Sequence, residues 1–202
     1  MERRDTQPFR AVQQELVRLK DENLSLRAEL QQLRNAVHAL SRLEYNLDRI
    51  TPQTDVISLV NGILSAALAA VDSENGSLQL MDEANDELVF VEVQGPNRDT
   101  LIGYRLPAKE GVAGWVAENR TPRLVPDTNS DPSFSALVDE TIGFRSQSLL
   151  CVPMIAGERT LGVIEAVNTR SGRSFSEKDL DILMLVARLA SLALARAEGR
   201  AC

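Results

Sequence analysis

Histidine, cysteine and aromatic residues are scarce in this 202-residue sequence, and each scarcity excludes something. The one histidine, His38, leaves a Ser/His/Asp triad without a partner elsewhere in the chain. The two cysteines, Cys151 and Cys202, cannot make a disulfide framework. Cys202 is the last residue, and Cys151 sits in an apolar run that predicts a small buried thiol. Aromatics make up 4% of the chain, so its core must be mostly aliphatic. No run approaches the roughly 20 apolar residues of a membrane span. The opening MERRDTQPFR lacks the apolar stretch of a secretory signal. A cytosolic protein is expected.

Basic residues are also outnumbered. With 22 against 29 acidic side chains the net charge is −7. Such a chain has no global attraction to nucleic acid or anionic lipid, and neither is expected as a partner. Hydrophobic residues at 44% and charged residues at 25%, with 11 Gly and 8 Pro, are ordinary for a globular chain.

What is abundant is leucine at a fixed period. Stepping by three and four from Phe9 places Val12, Leu19, Leu26, Leu33, Leu40 and Leu47 at heptad position d. Position a holds Phe9, Leu16, Asn23, Leu30, Val37 and Glu44. No Gly or Pro interrupts Phe9 to Leu47. Apolar a/d positions sustained over several heptads predict a coiled coil, and one Asn at a favours a registered parallel pair. Glu15, Glu22 and Glu29 at g would face Lys20, Arg27 and Arg34 at e of a partner. Exposed pairs of this kind are worth about 0–1 kcal/mol each, so they choose orientation rather than supply strength. A lone amphipathic helix lying on its own domain is the plainer alternative, but it calls for a wider stripe. A basic zipper for DNA would need a basic helix ahead of the first heptad. His38 falls at b, on the outer face, as a solvated residue. The segment 1–50 is therefore expected to be a parallel dimeric coiled coil.

From Thr51 the period changes. Thr51-Pro52 is expected to cap a helix over Val56 to Val71, broken by Asn75-Gly76. Ser77 to Met81 and Glu87 to Val93 predict a hairpin, with a short strand near Tyr104 to Leu106. Gly111 to Arg120 predicts a short helix, Leu124-Val125 a strand stub, and Pro126 to Pro132 a polar loop. A short helix over Ser133 to Thr141 leads to two strands, Ser148 to Ile155 and Leu161 to Asn168. Ser176 with Asp179 approximates a capping box, and Phe175 with Leu180 a hydrophobic staple, for a last helix reaching about Ala197. That helix carries two apolar stripes. One is Leu183, Val186, Ala187, Ala190, Leu194 and Ala197. The other is Ile182, Leu185, Leu189 and Leu192, for which a second subunit is the simplest cover. The class is α+β, an antiparallel sheet flanked by helices over 51–202.

At this point the residues resemble a GAF domain, a small-molecule sensor module of many signalling proteins. The resemblance covers about Leu43 to Ala197. It rests on Gly111-Val112-Ala113-Gly114-Trp115-Val116, Val125-Pro126-Asp127, Asp131-Pro132-Ser133-Phe134 and Gly143-Phe144-Arg145, in that order. Ser148 to Met154, Leu161 to Asn168 and the helix start from Phe175 to Asp179 complete the series. It implies a central antiparallel sheet with terminal helices on one face, often dimeric, and a ligand pocket on the other. The positions it places near a ligand are Asp127, Asn129, Phe134, Arg145, Ser148 and Glu165. Arg145 could clamp an anion or make a surface ion pair, and Asp127 and Asn129 are also turn formers. Phe134 could stack on a ring or fill the core. Glu165, mid-strand, belongs at a pocket, at an interface or beside an arginine.

The ligand stays open. Cyclic-nucleotide members carry a motif that Asn168, Phe175 and Asp179 half match, with Thr169 and Leu180 departing from it. Covalent bilin needs a rim cysteine, haem a histidine inside the domain, and methionine-sulfoxide reduction more than one thiol. None of these, and no metal, is expected. The expectation is a non-enzymatic homodimeric regulator of bacterial type. A small ligand would alter helix packing along its axis and act on a separate effector protein. The alternative is a scaffold with a vestigial, filled pocket.

Overall fold

The computed structural model describes residues 6–47, 50–51, 53–135 and 137–199. Pro52, Cys202 and the side chain of Leu47 lie outside the described residues. The first helix, α1 (Thr6–Leu47), is a single 42-residue rod, about 63 Å long at the usual rise. Then come α2 (Val56–Ala70), β1 (Ser73–Asp82) and β2 (Glu87–Gln94). The short pieces are α3 (Arg98–Leu101), β3 (Arg105–Pro107), α4 (Gly111–Asn119), β4 (Arg123–Val125) and α5 (Leu137–Ile142). The chain closes with β5 (Leu149–Ala156), β6 (Arg159–Thr169) and α6 (Glu177–Ala197).

Two junctions differ from the expectation. The cap of α2 is Asp55, not Thr51: its carboxylate accepts from Ile57 N and Ser58 N, each at 3.2 Å. Aspartate caps better than threonine, and Thr51 is spent on a turn of its own, with Thr54 N donating to its carbonyl at 2.9 Å. Nor does Asn75-Gly76 break the chain. Asp72, left-handed at φ 57°, makes the turn earlier, and β1 runs straight through Gly76. A Cβ on Gly76 would run into the Glu165 carbonyl and come 2.6 Å from the Leu68 side chain. This glycine is there for close approach. The sequence reading also lacked α3.

All strands pair antiparallel in the order β3-β2-β1-β6-β5-β4. One face carries α2 and α6 over Leu78, Leu150 and Ile164, with Leu64, Leu68 and Leu183 buried between. At the start of α6, Ser176 N and Oγ donate to Asp179 Oδ2 at 2.8 and 2.7 Å, which completes the capping box. Burial alone would raise the Asp179 carboxyl, but Arg173, at 2.7 Å, and Ser176 bring it below its ordinary value.

The later part of α1 also packs on this face. Ala36, Ala39 and Leu43 are buried against α2 and α6. Lys178 pairs with Glu29, and Gln32 donates to Asp179. Thus Glu29, expected to face a partner helix, is engaged within its own chain. These residues fall at heptad positions g and c, so the a/d edge is turned away. Leu26, Leu30, Leu33 and Val37 stay 49–61% exposed. On α6, Ile182 and Leu189 pack against the shared core, while Leu185 and Leu192 remain exposed. The chain's own first helix thus supplies part of the cover expected from a second subunit.

Candidate functional site

The other sheet face is covered by short pieces. Ser77 on β1, Phe90 on β2 and Glu165 on β6 form a floor. Above them lie Leu101 of α3, the start of α4 and Val138 with Asp139 of α5. Between floor and roof is a cavity of about 120 Å³. A single water needs about 10–15 Å³, so this space holds considerably more than one.

The walls are mostly apolar, with Phe90, Phe134 and Phe144 as the aromatic members. Three carboxylates line it, Glu110, Asp139 and Glu165, and no Lys, Arg or His does among the described residues. Glu165 faces into the cavity because alternation along β6 puts it on one side with Val163 and Val167. Its Oε2 accepts from Gln79 Nε2 at 2.9 Å and from Ser77 Oγ at 3.4 Å. No cation pairs with it among the described residues. Burial pushes its carboxyl up from 4.5 to about 7. The two hydrogen bonds oppose that rise and nearby Asp139 adds to it. The group keeps some accessible surface because the cavity itself reaches it, yet protein surrounds it.

Asp139 is held by Ser146, whose N and Oγ donate at 2.7 and 2.9 Å. Glu110 precedes α4, and its side chain makes no capping bond to that helix. Below Glu165, Gln79 is fully buried and its Oε1 has no hydrogen-bond partner among the described residues.

Of the six positions singled out in the sequence, Phe134 and Glu165 line the cavity. The other four lie outside its lining. Asp127 caps a single 3-10 turn, where Asn129 Nδ2 and N donate to it at 2.8 and 3.0 Å and hold its carboxyl below the usual range. Arg145 is exposed, and its carbonyl accepts from Asn168 Nδ2 at 2.9 Å. Ser148 is buried and its Oγ accepts from Phe175 N at 2.9 Å. Ser77, Glu110 and Asp139 were not foreseen. The Ser77-Leu78-Gln79-Leu80 alternation was the available signal for Ser77, since it sets two polar side chains against an apolar face.

The sequence profile of the GAF domain matches residues 53–195. The chain belongs to the GAF domain family. Solved structures agree on the fold. The GAF domain of a phosphoenolpyruvate-protein phosphotransferase from Coxiella burnetii superposes with a TM-score of 0.68 at 23% identity, over 82% of this chain and 96% of that one. A methyl-accepting chemotaxis protein fragment gives 0.64 at 23%, over 79% and 96%. The free methionine-R-sulfoxide reductase from Neisseria meningitidis gives 0.63 at 23%, over 81% and 90%.

Within this GAF domain the half-matched nucleotide motif has structural work. Asn168, left-handed at φ 54°, accepts from Gln147 N and Ser148 N at 2.7 and 3.2 Å. Phe175 is core and Asp179 is the N3 member of the α6 capping box. None of the three lines the cavity. Cys151 is fully buried, and burial followed by the charge of Glu165 pushes its thiol well up, away from the reactive thiolate. Among the described residues no three His, Cys, Asp or Glu side chains gather as a metal site. No described helix is long and apolar enough to cross a membrane.

Proposed function

We propose that this chain is a dimeric regulatory GAF module whose cavity binds a small molecule without chemical turnover. The observation that carries the reading is the open cavity itself. It could have been filled by aliphatic side chains, as a scaffold with a vestigial pocket would have it. Instead it keeps about 120 Å³, with the carboxylate of Glu165 held inside. Burying such a group is costly unless something compensates it. Among the described residues no Cys or His lines the cavity, and the reading is of binding rather than turnover.

Dimerisation is supported by the exposed a/d stripe from Phe9 to Val37, and by Leu185 and Leu192, which are exposed on α6. A second copy in parallel register satisfies Leu against Leu and Asn23 against Asn23 at once. Because α1 and α6 share a core with the sheet whose other face is the cavity floor, a ligand preferring one packing of these helices shifts their equilibrium by its differential affinity. The output acts on a separate effector protein, and the site of action is the cytoplasm.

The test is release of the bound molecule. Protein purified from its own host is denatured, and the supernatant is compared with that of a Val138→Trp variant, whose indole fills the cavity. The reading predicts a compound released by the wild type and absent from the variant, with both proteins melting cooperatively. The same compound from both, or none from either, argues for the scaffold.

A further inference from the structure

The cavity's charge pattern says more than that it is open. We infer that it selects a compact, largely apolar molecule bearing a cationic or hydrogen-bond-donating nitrogen, and excludes ligands bearing phosphate or carboxylate. The inference rests on the reading of the cavity as a ligand site and deepens it to a chemical class.

Two observations converge. The lining has three carboxylates and no cationic side chain among the described residues. An anion entering it would leave water for a negative enclosure, where like charges repel far more strongly than in bulk solvent. Each carboxylate has a different state. Asp139 already receives two bonds from Ser146. Glu165 receives two neutral donors on the same oxygen, Oε2, and has no charge partner among the described residues. Glu110 makes no side-chain capping bond to α4. Glu165 Oε1 receives no bond among the described residues, so the partner it lacks is a donor.

One feature argues the other way. Gly111, Val112 and Ala113 bring the start of α4 to the wall, and a helix start carries roughly half a positive charge. Glu110 stands at that same end and offsets it. The apolar part of the ligand follows from Phe90, Phe134 and Val138, and its small size follows from the volume.

Three probes with one ring and different heads separate charge from fit: benzylamine, benzyl alcohol and benzoate. Each is titrated into the 202-residue protein at pH 8, above the value of about 7 at which Glu165 ionises, while the backbone amide spectrum is followed at Gly76, Glu165 and Val167. The expected result is benzylamine binding at least about tenfold more tightly than benzoate, with that preference lost in Glu165→Gln. Glu110→Gln, on the half-exposed rim, serves as a second variant and should shrink the preference in part. Benzoate binding as well as or better than benzylamine overturns the inference while leaving the cavity as a ligand site. So does benzyl alcohol outcompeting benzylamine. If no probe shifts the cavity amides, the ligand-site reading falls with it.

Discussion

Replacing Glu165 with Gln should stabilise the protein at neutral and higher pH. The structure sets both the sign and the size. The carboxyl is raised from 4.5 to about 7 in the folded chain, first by burial. Between those values the folded protein keeps a proton that the unfolded chain has released. The stability of the wild type therefore falls as pH rises through this window and levels off above about 7. At about 1.4 kcal/mol for each tenfold change in proton affinity, the full difference is about 3 kcal/mol. Water reaching the cavity trims that toward about 2 kcal/mol by screening. In a chain of this length such a change moves a thermal midpoint by about 4–12 °C. The assay is urea denaturation of wild type and E165Q from about pH 5 to pH 8. Taking the difference between the proteins cancels the contribution of groups remote from residue 165. The predicted difference favours E165Q and grows with pH. A difference that stays flat across the range refutes a proton held on Glu165.

Other consequences are equally open to measurement. Asp179→Ala removes the N3 half of the α6 capping box and the partner of Arg173, and should lower the urea-derived stability by about 2–4 kcal/mol at neutral pH. Because the folded carboxyl lies below its ordinary value, the deficit should shrink as pH falls toward about 3; a loss below about 0.5 kcal/mol counts against the cap. Gly162→Ala forces a Cβ onto the Gln79 carbonyl at a residue whose φ is 155°. It should cost more than about 3 kcal/mol, seen as a collapsed thermal midpoint or insoluble expression; an unchanged midpoint contradicts that packing. The pair Leu26→Lys and Leu33→Lys should convert a sedimenting dimer to monomer while the domain's melting stays put. Persistence of the dimer would move the interface off the a/d stripe.

Much of the fold was legible because its signals are local. The heptads, the Ser176–Asp179 cap and the turn at residues 83–86 each depend on residues close in sequence. The misplaced boundaries depended on distant ones. Asn75-Gly76 reads as a turn until Glu165 and Leu68 are known to crowd it, and the sequence does not state that proximity. The part of the α6 cover that comes from α1, over Ile182 and Leu189, was hidden for a related reason. Positions g and c of α1 look solvent-facing in a heptad, and only folding back onto α2 and α6 explains Ala36, Ala39 and Leu43. The site was legible in part. A charged residue between Val163 and Val167 stands out in any strand, so Glu165 was visible, and Phe134 came with the GAF resemblance. Glu110 and Asp139 were not, because a carboxylate beside a short helix usually faces water. Their convergence is a product of the roof's tertiary arrangement.

Native mass spectrometry of the protein, purified from its own host, tests the central claim most directly, since one spectrum reports both subunit count and retained mass. The account predicts two chains of 22.2 kDa with an added small mass on each, lost in Val138→Trp. A monomer would contradict the helix-borne dimer. A bare dimer that takes up no benzylamine in the same instrument would contradict the cavity as a binding site.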